Sequence, residues 1–312
     1  MRKRITVTII CIIAAGLIIA HQGQIREKLY RDKRVALGTF VEVVSSDNRA
    51  AGIVFDEISR IELLLSKYDP RSEISRLNKS GRLKVSPDTF LIIKKSKELN
   101  LITNGAFDIT IAPLMDLWGF SNRAYTLPSE EKIKGTLKLV GSDKIILREI
   151  ESVVEFKVPG MKIDLGGIAK GYAIDCAVKK LKSAKVKGCL INAGGQVYCL
   201  GDRSGRHWKV ALRDPLNPKG IIEYLPLKDK GISVSGCYEQ NFLKENRRYC
   251  HILNPRSGYP VESKALSVSV ISQNATLADA LSTAIFVMGE NEWQRIKGGF
   301  KDVEAKTISI DE

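Results

Sequence analysis

The chain has 312 residues, 44% hydrophobic and 27% charged, proportions ordinary for a globular protein with one large core or two modest ones. Its 49 Lys+Arg against 35 Asp+Glu leave a formal charge of +14, a surplus that suits nucleic acid, an anionic membrane or an acidic ligand. The basic residues are scattered and not interleaved with aromatics, which speaks against a single-strand nucleic-acid groove and favours a solvated basic face beside an anionic membrane or wall.

In chain order, Arg2-Lys3-Arg4 precedes an apolar run from Ile5 to Ala20, the pattern of an export signal or an N-terminal anchor. No convincing small-x-small cleavage site follows, so an uncleaved anchor over residues 1–25 is expected, with the body outside the cytoplasm and residues 26–34 as a juxtamembrane stalk. The main domain is expected over 35–312. A strand is predicted within 35–45, beginning after Leu37-Gly38-Thr39, and a helix over 49–67 from Val54, Ile58, Ile61 and Leu65 at helical spacing. Ser72 to Asn78 reads as a short polar turn. Ser86-Pro87 caps a helix to about Thr103, and residues 121–160 read as a helical insert with a small hairpin. A further helix runs from Gly167 to about Ala184. Strands follow at 189–192, 197–200, 208–213, 221–226, 232–235, 248–252 and 265–272, then helices at 276–288 and 291–297. No internal repeat appears, and runs of strands with inserted helices indicate an α+β fold.

Of the six cysteines, Cys11 lies in the apolar run and the other five show no Cys-x-x-Cys pair, which argues against a metal-thiolate site. All five are expected to be small buried thiols; a Cys237–Cys250 disulfide across one hairpin is the alternative.

Chemistry concentrates in Asp164-Leu-Gly-Gly-Ile-Ala-Lys-Gly-Tyr-Ala-Ile-Asp175. A carboxylate, adjacent glycines and Lys170 at a helix start bring backbone and positive charge close to an anion such as a diphosphate. The spacing fits neither the dinucleotide fingerprint nor the P-loop. Asp279 and Thr283 stand four apart on an apolar helix, so both can offer oxygen to a hard cation, although capping or surface roles are commoner at that spacing. His251 ends a strand before a Pro- and Gly-rich turn, where it can be a base, a ligand or a hydrogen-bonded anchor of the turn. Gly105-Ala106-Phe107-Asp108-Ile109-Thr110 can hold a flat heterocycle, or can be a core segment capped by Asp108.

Together with Leu65-Ser66-Lys67-Tyr68, Ile191-Asn192-Ala193-Gly194-Gly195, Ser235-Gly236-Cys237-Tyr238-Glu239 and His251 to Pro260, these motifs stand in the order found in one family. From residue 35 to about 298 the chain resembles the ApbE family, the FAD:protein FMN transferases. The resemblance implies an ApbE-like, T-fold-related architecture of mixed sheets with flanking helices. It implies a Mg²⁺-dependent enzyme that cleaves FAD and joins FMN through a phosphoester to a threonine or serine of an exported acceptor carrying an Asp-x-x-Thr-Gly-Ala-Thr type of segment, releasing AMP. By the same resemblance Asp279, Thr283 and the Gly167 carbonyl are metal ligands. Leu37, Tyr68, Ala106, Phe107, Asp108, Asp164, Lys170 and Ile252 contact the flavin nucleotide, and His251 is the base that takes the acceptor proton. The chain departs from the family pattern at Leu37 (usually Met), Cys237 and Asn254 (usually Asp), Ser257 (usually Thr) and Cys250 (usually a second His). FAD hydrolysis to FMN and AMP, or flavin binding without turnover, are the alternative activities.

Overall fold

In a computed structural model, which describes residues 28–217, 219–238 and 240–309, the chain opens with a hairpin of strands β1 (Tyr30–Ala36) and β2 (Thr39–Ser45). Helices α1 (Ala50–Leu65) and α2 (Glu73–Ser80), strand β3 (Arg82–Lys84) and helix α3 (Pro87–Ile102) follow. A 3-10 turn at Ile109–Ile111 leads into α4 (Ala112–Leu117), then come α5 (Glu130–Leu137), β4 (Ile145–Arg148), β5 (Val153–Phe156) and α6 (Ala169–Ser183). Strands β6 (Gly188–Ala193), β7 (Gln196–Gly201), β8 (Trp208–Arg213), β9 (Ile221–Leu227), β10 (Lys230–Gly236), β11 (Asn241–Lys244), β12 (Arg247–Cys250) and β13 (Ala265–Ser272) come next. Helices α7 (Ala275–Met288) and α8 (Glu290–Ile296) and strand β14 (Glu304–Ser309) complete the described chain.

The centre is a seven-stranded sheet in the order β1-β2-β6-β7-β10-β13-β14, with small sheets β3-β5-β4, β8-β9 and β11-β12 around it. Every strand pairing among the described residues is antiparallel, which corrects the expectation of mixed sheets. The cause is local: many neighbours are successive hairpin partners, and a tight turn can join only antiparallel strands.

Alternation along the strands sorts the two faces of the sheet. Val41, Val43 and Ile191 face a helical layer in which Val54, Ile58 and Ile61 of α1 pack with Ala173, Ala177 and Leu181 of α6. Val44, Val197 and Ile232 face the other way and pack under Trp208, Val210 and Leu212 of the β8–β9 ribbon. The site described below lies on the helical side, where α7 packs on β10 and β13.

Three further expectations are corrected. Residues 30–34, expected in a stalk, form the first part of β1, paired with β2 from Tyr30↔Ser45 to Ala36↔Thr39. Most β1 side chains are exposed, so the strand carries no hydrophobic alternation to reveal it. Ser72 to Asn78 is the start of a helix rather than a turn: the Ser72 hydroxyl accepts from the Ser75 N–H, Gly81 closes the end at φ 71°, and Ile74 and Leu77 are buried. Two apolar residues three apart are too few to show a period in so polar a stretch. Finally, Cys237 and Cys250 form a disulfide, leaving Cys176, Cys189 and Cys199 as thiols. The expected anchor at residues 1–25 lies outside the described residues; among these, no helix is long and apolar enough to cross a membrane.

Candidate active site

Helices α6 and α7 meet at Gly171, where a Cβ would stand 2.2 Å from the Ala275 carbonyl oxygen. Only glycine allows that approach, and the approach lets one helix organise the other. Asp175 accepts hydrogen bonds from the Ala275 N–H (2.9 Å), the Thr276 N–H (2.8 Å) and the Thr276 hydroxyl (2.6 Å). The first turn of α7 is thereby capped from α6 as well as by its own Asn274. One turn further on, Asp279 is buried and accepts from the Gly171 N–H at 2.9 Å. Burial pushes the Asp279 carboxyl upward, against the opposing pull of Lys170 and the Gly171 N–H.

The hydroxyls beside Asp279 form a chain. Ser233 lies 3.5 Å from the Asp279 carboxylate, Ser282 lies within 3.3 Å of Ser233 and 2.8 Å of Ser235, and Ser235 reaches the Thr283 hydroxyl at 3.2 Å. A Cβ on Gly167 would lie 3.5 Å from the Thr283 hydroxyl oxygen and 3.4 Å from the Phe107 ring. Gly167, Asp279 and Thr283 therefore meet at one wall, as the spacing and the resemblance suggested. Among the described residues no group of three or more His, Cys, Asp or Glu is placed to hold a metal. One buried carboxylate with hydroxyl and carbonyl oxygens is instead the donor chemistry that suits a hard cation.

These residues open onto a cavity of about 280 Å³, also lined by Tyr68, Ala106, Phe107, Asp108, Asp164, Lys170, His251 and Ile252. Leu37 is absent from that lining. It sits in the β1–β2 turn at φ 53°, donates its N–H to Glu62 Oε1 at 2.9 Å and packs against the main core. Asp108 reaches the cavity, but its carboxylate accepts from the Thr110 N–H and hydroxyl (2.8 and 2.6 Å), the Ser142 N–H and hydroxyl (3.1 and 2.8 Å) and Asn100 Nδ2 (3.0 Å). The capping reading of Asp108 holds, and the residue also borders the cavity and ties its wall together.

Asp164 pairs with Lys67 at 2.7 Å, both side chains largely buried, and accepts from the Gly166 N–H at 2.8 Å. Burial pulls the Lys67 ammonium down most strongly, but Asp164 outweighs it and the lysine titrates above its ordinary value. His251 Nδ1 lies 2.8 Å from the Gln240 carbonyl oxygen, which can only accept. Nδ1 therefore carries the proton in the neutral ring, and Nε2 keeps its lone pair. Burial, helped by Lys170 and opposed by the Gln240 carbonyl and Asp164, holds the imidazole below its usual value. A neutral ring with an available Nε2 is ready to accept a proton at neutral pH.

Sequence reasoning did not find Lys67, Ser233, Ser235, Ser282, Gln196 or Gln240 at the site. Gln196 borders the cavity, donates to the Ala275 carbonyl at 3.1 Å, and leaves its own buried Oε1 without a partner. Serines at every second position of β10 look like ordinary strand residues, and only the register places them under α7. For Lys67 a signal existed, since it follows directly on the end of α1 within a motif of the resemblance.

Comparison with known proteins places the fold in a family. A FAD:protein FMN transferase of Klebsiella pneumoniae is 33% identical over 268 residues, spanning 84% of this chain and 83% of that protein. The ApbE protein of Thermotoga maritima superposes with a TM-score of 0.84 at 34% identity, covering 90% of this chain and 94% of that one. The apo flavinyl transferase ApbE of Pseudomonas stutzeri superposes with a TM-score of 0.81 at 27% identity, covering 91% and 92%. The profile of the ApbE family matches residues 37–305, and with the relatives' identity over most of the chain this protein belongs to the ApbE family.

Proposed function

We propose that this protein transfers FMN from FAD to the hydroxyl of a threonine or serine on an exported acceptor protein, releasing AMP. The observation that carries the reading is the meeting, in one cavity, of the Asp279–Thr283–Gly167 wall, Lys170 and a neutral His251. Phosphoryl transfer asks a protein mainly for positioning and for charge neutralisation, and these groups supply both.

In this reading the acceptor oxygen attacks the phosphorus on the FMN side of the diphosphate. A new P–O bond forms to the acceptor, the bond to the bridging oxygen breaks, and AMP leaves with that oxygen. His251 Nε2 takes the proton of the attacking hydroxyl, while the Gln240 carbonyl holds the ring in the required tautomer. Lys170, at the start of α6, sets a positive charge beside the diphosphate, and the Lys67–Asp164 pair stiffens the neighbouring wall. Asp279, Thr283 and the Gly167 carbonyl would hold Mg²⁺, which supplies further neutralisation of developing charge on the phosphate oxygens when bound.

The basic and apolar N-terminus supports a membrane anchor with the catalytic domain outside the cytoplasm. The Cys237–Cys250 disulfide is of the kind that persists in such a compartment. The +14 charge suits an anionic surface nearby. The test is AMP release from FAD with Mg²⁺, with and without an acceptor domain carrying an Asp-x-x-Thr-Gly-Ala-Thr segment. Release that requires the acceptor supports transfer. Release of AMP and free FMN without acceptor selects a diphosphatase, and FAD that stays intact in both arms selects a flavin-binding protein.

A further inference from the structure

A second and larger concavity, of about 1360 Å³, lies on the opposite face of the central sheet. Register places Lys33, Glu42, Asn192, Val197 and Ile232 in one row across β1, β2, β6, β7 and β10, and all five line it. Its floor is therefore the sheet itself, and the β8 strand with Arg203 and Arg206 forms the opposite wall. The charge is one-sided. Arg31, Lys33, Arg203 and Arg206 line it against Glu42 alone, and Glu42 is engaged by Arg31 at 3.3 Å. Phe40 stands 61% exposed in the groove, an apolar anchor beside these basic side chains.

The groove also leads somewhere. Gly194, in the β6–β7 turn at φ 60°, and Val234 of β10 line both the groove and the catalytic cavity. The two concavities therefore adjoin at that turn. Space at the turn is set by glycine, since a Cβ on Gly194 would stand 2.5 Å from the Thr39 hydroxyl.

We propose that this groove seats an extended, acidic segment of the acceptor protein and delivers its hydroxyl past Gly194 to His251. The assignment rests on the transfer reading above and adds where the acceptor docks and what charge it carries. Two observations commit it to this occupant: the charge complementarity of the lining, and the continuity with the cavity where the attacking hydroxyl is needed. The groove is one of affinity and encounter, so its charges act on acceptor binding and not on the chemical step.

The experiment compares wild type with the Lys33→Glu/Arg203→Glu/Arg206→Glu variant, using acceptor peptides with acidic or neutral flanks around one Thr. The assignment expects the KM for the acidic peptide to rise roughly tenfold at low salt in the variant, with the difference shrinking as salt is added. The FAD Kd and kcat at saturating acceptor should be unchanged, which also shows that the variant is folded. A photoreactive residue at Phe40 should cross-link to the acceptor. If wild type forms no adduct, transfer itself fails, and the groove assignment with it. If wild type forms adduct and the variant does so with unchanged KM, the groove assignment alone is overturned. Cross-linking from position 40 only to a second copy, or only to the chain's own first residues, overturns it too.

Discussion

At the scale of single residues, two ionisable groups matter most, the half-buried His251 and the buried Asp279. His251 is held below the ordinary imidazole value, chiefly by burial. A general base works when unprotonated, so turnover should rise with pH as the ring loses its proton and level off early. The acidic limb of the profile is expected to have its midpoint below about 6.5, the unperturbed value. His251→Gln should lower turnover by about a hundredfold to ten-thousandfold and remove that limb. For Asp279, burial raises the carboxyl, and a bound cation would reverse that pressure. Mg²⁺ at about a hundred times its Kd should stabilise the wild type by about 2.7 kcal/mol in thermal unfolding, and should leave Asp279→Asn unmoved. Asparagine still offers an oxygen to the Gly171 N–H, so the comparison isolates the charge. Asp279 and Thr283 are legible in the sequence because a four-residue spacing on a helix puts side chains on one face. The serines that complete the wall are not, since pairing register and helix packing decide what a strand serine faces.

At the scale of elements, the site is a product of one close helix crossing. Gly171 lets α6 touch α7, Asp175 caps α7 from α6, and the crossing delivers the Gly171 N–H to Asp279. Gly171→Ala would drive a methyl into the Ala275 backbone. It should cost about 1–3 kcal/mol in chemical denaturation and weaken Mg²⁺ binding with it. Apolar spacing and caps make α1, α3, α6 and α7 readable in the amino-acid sequence, because each buries apolar side chains along a recognisable face or starts at a clear capping residue. Strand β1 is hidden for the converse reason: it sits at the sheet edge with both side-chain rows largely exposed, and its order comes from backbone pairing with β2. Leu37, placed among nucleotide contacts by resemblance, donates its N–H to Glu62 in the β1–β2 turn and does not line the cavity.

At the scale of the whole molecule, the disulfide ties together the segments that hold the proposed base. Cys237 and Cys250 are 13 residues apart; Cys250 precedes His251, and Cys237 starts the loop whose Gln240 holds that ring. Closing a loop of about this length contributes roughly 3 kcal/mol by restricting the unfolded chain. Dithiothreitol should therefore lower the melting temperature and turnover of wild type, and should not alter a Cys237→Ser/Cys250→Ser variant further. The residues alone favour free thiols over this bond, because buried thiols are common and pairing depends on the hairpin geometry.

Transfer requires that FMN end on the acceptor rather than in solution. The most direct measurement is the intact mass of an acceptor domain after incubation with this protein, FAD and Mg²⁺. The expected result is a single shift by the mass of FMN less one water, lost when the modified Thr is replaced by Val or when Asp279 is replaced by Asn. An acceptor of unchanged mass, beside a well-folded enzyme with FAD bound, would contradict it.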